Sequence, residues 1–204
     1  MVRLYRARFS TNCERVALAL AFKGLEADSV WIEYSDRSAV ERVSGQGLVP
    51  VIEDGDRVVV DSTEILRHLE VRAPDPPLFP RDEARRAETD LFVDWFNQVW
   101  KRWPNAIEAE LGEDEPDRAA IAAHSSAMAV ALDRFEAMLA GRDHLMGDEL
   151  SAADCVAFPF LKYALRRDPA DDELFHRILD EHQSVSGRPR LAAWIERVDE
   201  RPRA

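Results

Sequence analysis

Cysteine is nearly absent from this chain: Cys13 and Cys155 are the only two, and both sit in apolar stretches with helical spacing. Two thiols so placed build neither a disulfide framework nor a cysteine-based metal site. Lysine is almost as scarce, with only Lys23, Lys101 and Lys162, and the 27 basic residues are outnumbered by 39 acidic ones. The resulting net charge of -12 removes the electrostatic term on which nonspecific nucleic-acid binding depends, so nucleic acid is not an expected partner. Long hydrophobic runs are missing too. No segment holds the roughly 18 uninterrupted apolar residues of a membrane span, and the opening MVRLYRARFS lacks the apolar stretch of a secretory signal. The sequence therefore predicts a cytoplasmic protein with no membrane partner. His68, His124, His144, His176 and His182 show no ligand spacing, so no metal is expected, and there is neither an internal repeat nor a low-complexity segment.

What the chain does have is apolar content, 46% of 204 residues, enough for one large domain or two small ones. Residues 2 to 5 alternate as a strand, residues 12 to 23 are apolar nearly all round as a buried helix should be, and residues 29 to 33 read as a second strand. That β-α-β order predicts parallel strands with a right-handed crossover. The runs VPVI and RVVV are joined by Glu53-Asp54-Gly55-Asp56, and an Asp-Gly between β-branched runs signals a hairpin. A helix follows in DSTEILRHLEVRA, with Asp61 or Ser62 to cap it and Ile65, Leu66 and Leu69 on one face. Pro74, Pro76, Pro77 and Pro80 then interrupt all regular pairing. Beyond them EARRAETDLFVDWFNQVWKRW, AAIAAHSSAMAVALDRFEAMLAG, SAADCVAFPFLKYALRR and PRLAAWIERVDER carry apolar residues at three- and four-residue spacing. The expected division is a domain over 1–75, a proline-rich linker over 76–84 and an all-helical domain over 85–204.

The start of the first helix reads FSTNCERVALAL. A Cys-x-x-Cys between a strand and a helix would indicate redox chemistry, but here Ser10 takes the first position and only Cys13 is a thiol. A hydroxyl neither exchanges nor leaves as a sulfur does; it donates a hydrogen bond. Taken alone, a serine there reads first as a helix N-cap, and the two cysteines read as small core residues.

The order β-α-β-(α)-β-β-α, then a proline-rich linker and a helical half, resembles a cytosolic glutathione transferase over essentially the whole chain. Ser10, Cys13 and Val16 are similar to the start of the family's serine-type classes, theta and zeta among them, which points to a bacterial member of that kind. GLVPVI at 47–52 resembles the segment whose proline is cis, here Pro50; DST at 61–63 resembles the acidic-Ser pair that receives the γ-glutamyl end of glutathione; and Ser151 to Asp154 resembles the family's capping motif. The resemblance implies an α/β thioredoxin-like N-terminal domain with a mixed four-stranded sheet, followed by an all-α C-terminal domain. It implies glutathione as cosubstrate with no permanently bound cofactor, and a homodimer. Its glutathione-binding positions correspond here to Ser10, Thr11, Gln46, Val49, Pro50, Asp61 and Ser62, with Ser10 the catalytic donor to the glutathione thiolate and Thr11 the alternative. The chain departs from the family pattern in having the shorter Asp61 before the serine, and Leu48 ahead of Val-Pro, with Gln46 the nearest amide.

The physics suits an anionic tripeptide, because a helix N-terminus exposes unpaired N–H groups and about half a positive charge. Phe92, Phe96, Trp100 and Trp103 form an aromatic stripe on the first long helix, with Trp95 beside it. Packing explains most of that stripe; the family resemblance adds that Trp95, Phe96, Trp100 and, nearby, Tyr163 line a pocket for the second substrate. The leading expectation is a transferase or isomerase that activates glutathione for attack on a hydrophobic electrophile. Two rivals are a noncatalytic dimerisation and protein-interaction module on the same fold and a thiol-disulfide oxidoreductase using Cys13.

Overall fold

The computed structural model describes residues 1–204 and separates into two compact units, Met1–Glu83 with Arg201–Ala204, and Ala84–Glu200. In the first, strand β1 (Val2–Arg6) leads into helix α1 (Thr11–Phe22), strand β2 (Ala27–Trp31), helix α2 (Ser38–Ser44), the hairpin β3 (Val51–Asp54) and β4 (Arg57–Val60), and helix α3 (Ser62–Arg72). The sheet order is β2-β1-β3-β4, with β1 parallel to β2 and the other two pairs antiparallel. This is the mixed four-stranded thioredoxin-like sheet. The hairpin closes through two residues, Asp54 pairing with Arg57, and Gly55 at φ 62 supplies the left-handed conformation that such a turn requires.

Alternation along the strands divides the core between the two faces of the sheet. Tyr5 pairs with Val51, and both pack with Ile32 and Val40 beneath α2. Leu4 pairs with Ile52 on the opposite face, under the mutually packed α1 and α3, where Ile65, Leu66 and Leu69 are also fully buried. Each such aliphatic side chain contributes about 1.5–3 kcal/mol on burial. The second strand begins two residues before its apolar run, at Ala27, because β1 dictates its register from Val2↔Ala27 to Arg6↔Trp31. It lies at the sheet edge, where no residue of the strand is buried, so burial leaves no mark on its sequence.

The proline-rich stretch packs on this first unit. Leu78 and Phe79 are buried, and the buried Lys23 donates to Glu70 Oε2, the Ala73 carbonyl and the Pro76 carbonyl at 2.5, 2.7 and 2.8 Å. Arg201–Ala204 also belong here and not with the helices that precede them: Arg6 donates to the Ala204 carbonyl at 2.6 Å, and the Ala204 N–H donates to the Ala17 carbonyl at 3.1 Å.

The second unit is all helical: α4 (Glu83–Trp95), a π-helical turn (Phe96–Trp100), α5 (Arg102–Leu111), α6 (Arg118–Met138), α7 (Ala152–Leu161) with a following 3-10 turn (Lys162–Ala164), α8 (Leu174–Glu181) and α9 (Pro189–Asp199). The sequence suggests one helix ending near Trp103. Instead a widened turn intervenes, and a new helix starts at Arg102 with Pro104 in its first turn, where a missing N–H costs nothing. The eight-residue α8 escapes sequence reading because so short a segment holds barely two turns of pattern. All ten residues of α7 are buried. Its start is a capping box of Ser151 and Asp154, and Asp154 also accepts from the Leu145 N–H and the Trp194 indole, each at 2.9 Å.

Candidate active site

Two helices of the first unit begin with unusual backbone. Phe9 (φ 61) and Asp61 (φ 68) are the only residues other than glycine with positive φ, and they stand just before Ser10 and just before Ser62. A left-handed side-chain-bearing residue costs on the order of 1–3 kcal/mol and persists where the surroundings hold it.

Ser10 is half-buried and is the N-cap of α1; its Oγ accepts from the Cys13 N–H at 3.3 Å. One lone pair of the hydroxyl thus serves the helix. Thr11, the first residue of the helix, is buried at 6% exposure, so of the two hydroxyls Ser10 is the more accessible. Burial pushes the Cys13 thiol up, against smaller opposing effects of the Ser10 hydrogen bond, the Ala7 backbone and the Arg6 charge. A thiol 1% exposed and held protonated is the reverse of the accessible, electropositive thiolate that exchange chemistry uses.

At the start of α3 the Asp61 carboxylate accepts from the Thr63 and Glu64 N–H groups at 2.8 and 3.2 Å. Asp61 is therefore the cap, and Ser62, the first helical residue, is released from that duty. The Ser62 hydroxyl is buried and accepts from Arg15 Nη1 at 3.3 Å. With its oxygen engaged by a cation, its proton is polarised for donation. Sequence reading did not find Arg15. The signal was there, since a lone guanidinium within an apolar helix must be buried against a polar partner.

The Val49–Pro50 peptide bond is cis. The backbone N–H and C=O of Val49 take no partner within the fold, which leaves them able to pair with an extended peptide. Gln46 behaves differently: its side-chain amide turns back to bond both the N–H and the C=O of Leu48, and its nitrogen also donates to Ser44 Oγ. Its polar atoms are spent inside the loop while Leu48 stays 69% exposed.

In the helical unit Phe96, Trp100 and Tyr163 present no open pocket face, contrary to the expected second-substrate lining. Phe96 stacks on Trp100 at 4.6 Å between ring centroids and both are fully buried; Tyr163 donates to Asp171 at 2.8 Å and stacks on His176 at 4.9 Å. Core packing claims these rings. Trp95, half-buried, lines a groove of about 310 Å³ shared with Val99, Trp103, Ser126, Ala127, Val130, Ala131 and Arg134.

Residues 4–77 match the family description "Glutathione S-transferase, N-terminal domain", and residues 93–202 match "Glutathione S-transferase, C-terminal domain". The chain is 27% identical over 197 residues to glutathione S-transferase Z1 of Arabidopsis thaliana, an alignment covering 92% of this chain and 88% of that protein. It is 26% identical over 211 residues to glutathione S-transferase GstB of Escherichia coli, covering 99% and 95%. Among solved structures, a glutathione S-transferase from Rhodospirillum rubrum superposes with a TM-score of 0.77 at 26% identity, covering 99% of this chain and 89% of that one. With both its sheet-bearing and its helical segments matched, the chain belongs to the glutathione S-transferase family.

Proposed function

We propose that this protein binds glutathione on its N-terminal unit and activates the glutathione thiol for attack on a hydrophobic electrophile, by conjugation or isomerisation. The observation that carries this reading is Ser10: a half-exposed hydroxyl at a helix N-terminus, one lone pair of which accepts from the Cys13 N–H. It donates to the thiolate, and donation to the charged form lowers a thiol's pKa, each unit corresponding to about 1.4 kcal/mol. Ser10 acts as an electrostatic stabiliser, the counterpart of one oxyanion-hole donor. The unused peptide group of Val49 pairs with the tripeptide backbone beside Pro50, and the Ser62 hydroxyl with the first N–H groups of α3 receives the γ-glutamyl carboxylate. Asp61 contributes by holding that helix start. Gln46 contributes only through the loop that it closes.

The test compares the chain with its Ser10→Ala variant by calorimetric titration with glutathione and by conjugation rates over a range of pH. The variant is expected to keep most of its glutathione affinity, to conjugate about 100-fold more slowly and to show a pH-rate profile displaced upward. An unchanged profile with full activity overturns the assignment and leaves Ser10 as a helix cap.

The protein works in the cytoplasm as a homodimer in this reading, with family resemblance as its support. Light scattering at micromolar concentration should give twice the chain mass of 23.2 kDa; a single-chain mass removes the dimer.

A further inference from the structure

Glu14 is the one acid in the first turn of α1. It follows Ser10 by four residues, which puts it on nearly the same side of the helix, about 6 Å farther along the axis. An acid there ordinarily stabilises a helix, because its charge complements the positive end of the peptide dipoles. At this helix start it has a competitor. In the proposed function Ser10 and the first N–H groups of α1 hold a thiolate, and a carboxylate one turn away repels that charge and favours the neutral thiol.

A cation from the far end of the chain answers it. Arg203 Nη2 donates to Glu14 Oε1 at 3.1 Å, across 189 residues of sequence, and the two side chains are only 21% and 16% exposed. The other terminal nitrogen of Arg203, Nη1, donates to the Arg201 carbonyl and fixes the guanidinium in place. The tail does not depend on this ion pair for its position, since Arg6 holds the Ala204 carbonyl and the Ala204 N–H reaches the Ala17 carbonyl. Of the other charged groups near the turn, Arg6 lies over Trp31 at 4.8 Å, with burial holding its pKa below the ordinary value against smaller effects of Cys13 and Glu14. Arg8 is exposed over the Phe9 ring, Arg15 donates to Ser62, the Asp61 carboxylate caps α3, and Arg201 belongs to the same tail.

We infer that Arg203 is a positioning residue of the thiol site, acting through Glu14: the ion pair cancels the one carboxylate in the first turn of α1 and leaves the Ser10 hydroxyl and the helix N-terminus unopposed in holding a thiolate. The inference rests on the thiol activation proposed above and deepens it, because it gives that site an electrostatic support supplied by the chain's last residues.

The test is a mutant cycle of the natural chain, Arg203→Ala, Glu14→Gln and the double variant. Conjugation rate and the ultraviolet absorbance of the bound glutathione thiolate are both followed against pH, and melting curves verify the fold of each chain. Arg203→Ala should displace both profiles upward by about half a pH unit, the order expected of a single charge one helix turn away at a partly solvated site. Glu14→Gln alone should displace them downward, and the double variant should return them to the natural position. Arg203→Lys keeps the charge and should keep the natural profile. Coincident profiles in the natural chain and Arg203→Ala, with Ser10→Ala displaced, overturn the inference and leave thiol activation standing. An upward displacement that Glu14→Gln does not reverse also overturns it, because the tail then braces the helix by contact alone. A natural chain that binds glutathione without lowering its thiol pKa overturns the inference together with the function on which it rests.

Discussion

Arg15 Nη1 lies 3.3 Å from Ser62 Oγ, and both side chains are buried, at 1% and 5% exposure. The contact joins the second turn of α1 to the first turn of α3, so the two helix starts that frame the candidate site are linked through one hydrogen bond. Its direction matters. Guanidinium can only donate, so Ser62 accepts from it and has a proton for an anion.

Ser62→Ala should therefore weaken glutathione binding by roughly 10- to 100-fold, the range for a hydrogen bond to a charged group, without moving the bound thiol's pKa. Titration calorimetry and the pH-rate profile read the two effects separately. An Arg15→Met, Ser62→Ala double variant should lose less than the sum of the single losses, because the pair acts as a unit.

Asp54 sits at the end of β3 with its carboxylate 2.9 Å from His68 Nε2 and 3.2 Å from Arg72 Nε. The His68 hydrogen bond, with the Arg72 and His68 charges behind it, holds the Asp54 carboxyl below the usual range against the opposing effect of burial. A carboxyl depressed in the folded state adds stability that is present above its unfolded pKa of about 3.9 and is lost as pH falls through the lower folded value. The stability difference between the natural chain and Asp54→Asn, measured by urea unfolding, should hold from neutral pH to about pH 4.5 and shrink below about pH 4.

Asp154 is fully buried and accepts from Leu145 N–H, Ser151 N–H, Ser151 Oγ and Trp194 Nε1 at 2.9, 2.9, 2.7 and 2.9 Å. Asp154→Ala leaves four buried donors without an acceptor, each worth about 1–3 kcal/mol. A loss on the order of 4 kcal/mol or more is expected, read as a steep fall in thermal midpoint or as insoluble expression, while Asp154→Asn should recover only part of it.

Much of the fold was legible because its cues are local. Asp-Gly between β-branched runs needs only its neighbours to become a hairpin. Ser10 and Asp61 cap their helices through hydrogen-bond acceptors that reach two or three residues along the chain, Ser151 and Asp154 form a capping box over the same short span, and the all-round apolar character of residues 12 to 23 announces burial wherever the helix goes. The same locality let the order of elements resemble the glutathione S-transferase family, which the matches over residues 4–77 and 93–202 then established.

The sequence by itself determined most of the elements and the two-part architecture, since these follow from periodicity, caps and turn residues, and its motifs carried the resemblance to the family. Tertiary structure alone decided where individual polar atoms went. Asp61 caps α3 and Ser62 accepts from Arg15, although either residue could cap on sequence grounds. Gln46 bonds its own loop, because Leu48 offers both backbone groups within reach. Phe96 and Trp100 are drawn into the core while Trp95 stays at the groove, because a π-helical turn resets the helical phase that an α-period assumes. Residue spacing encodes which side chains share a helix face; which of them meets solvent, and which hydroxyl keeps a proton to donate, depends on partners far away in the chain.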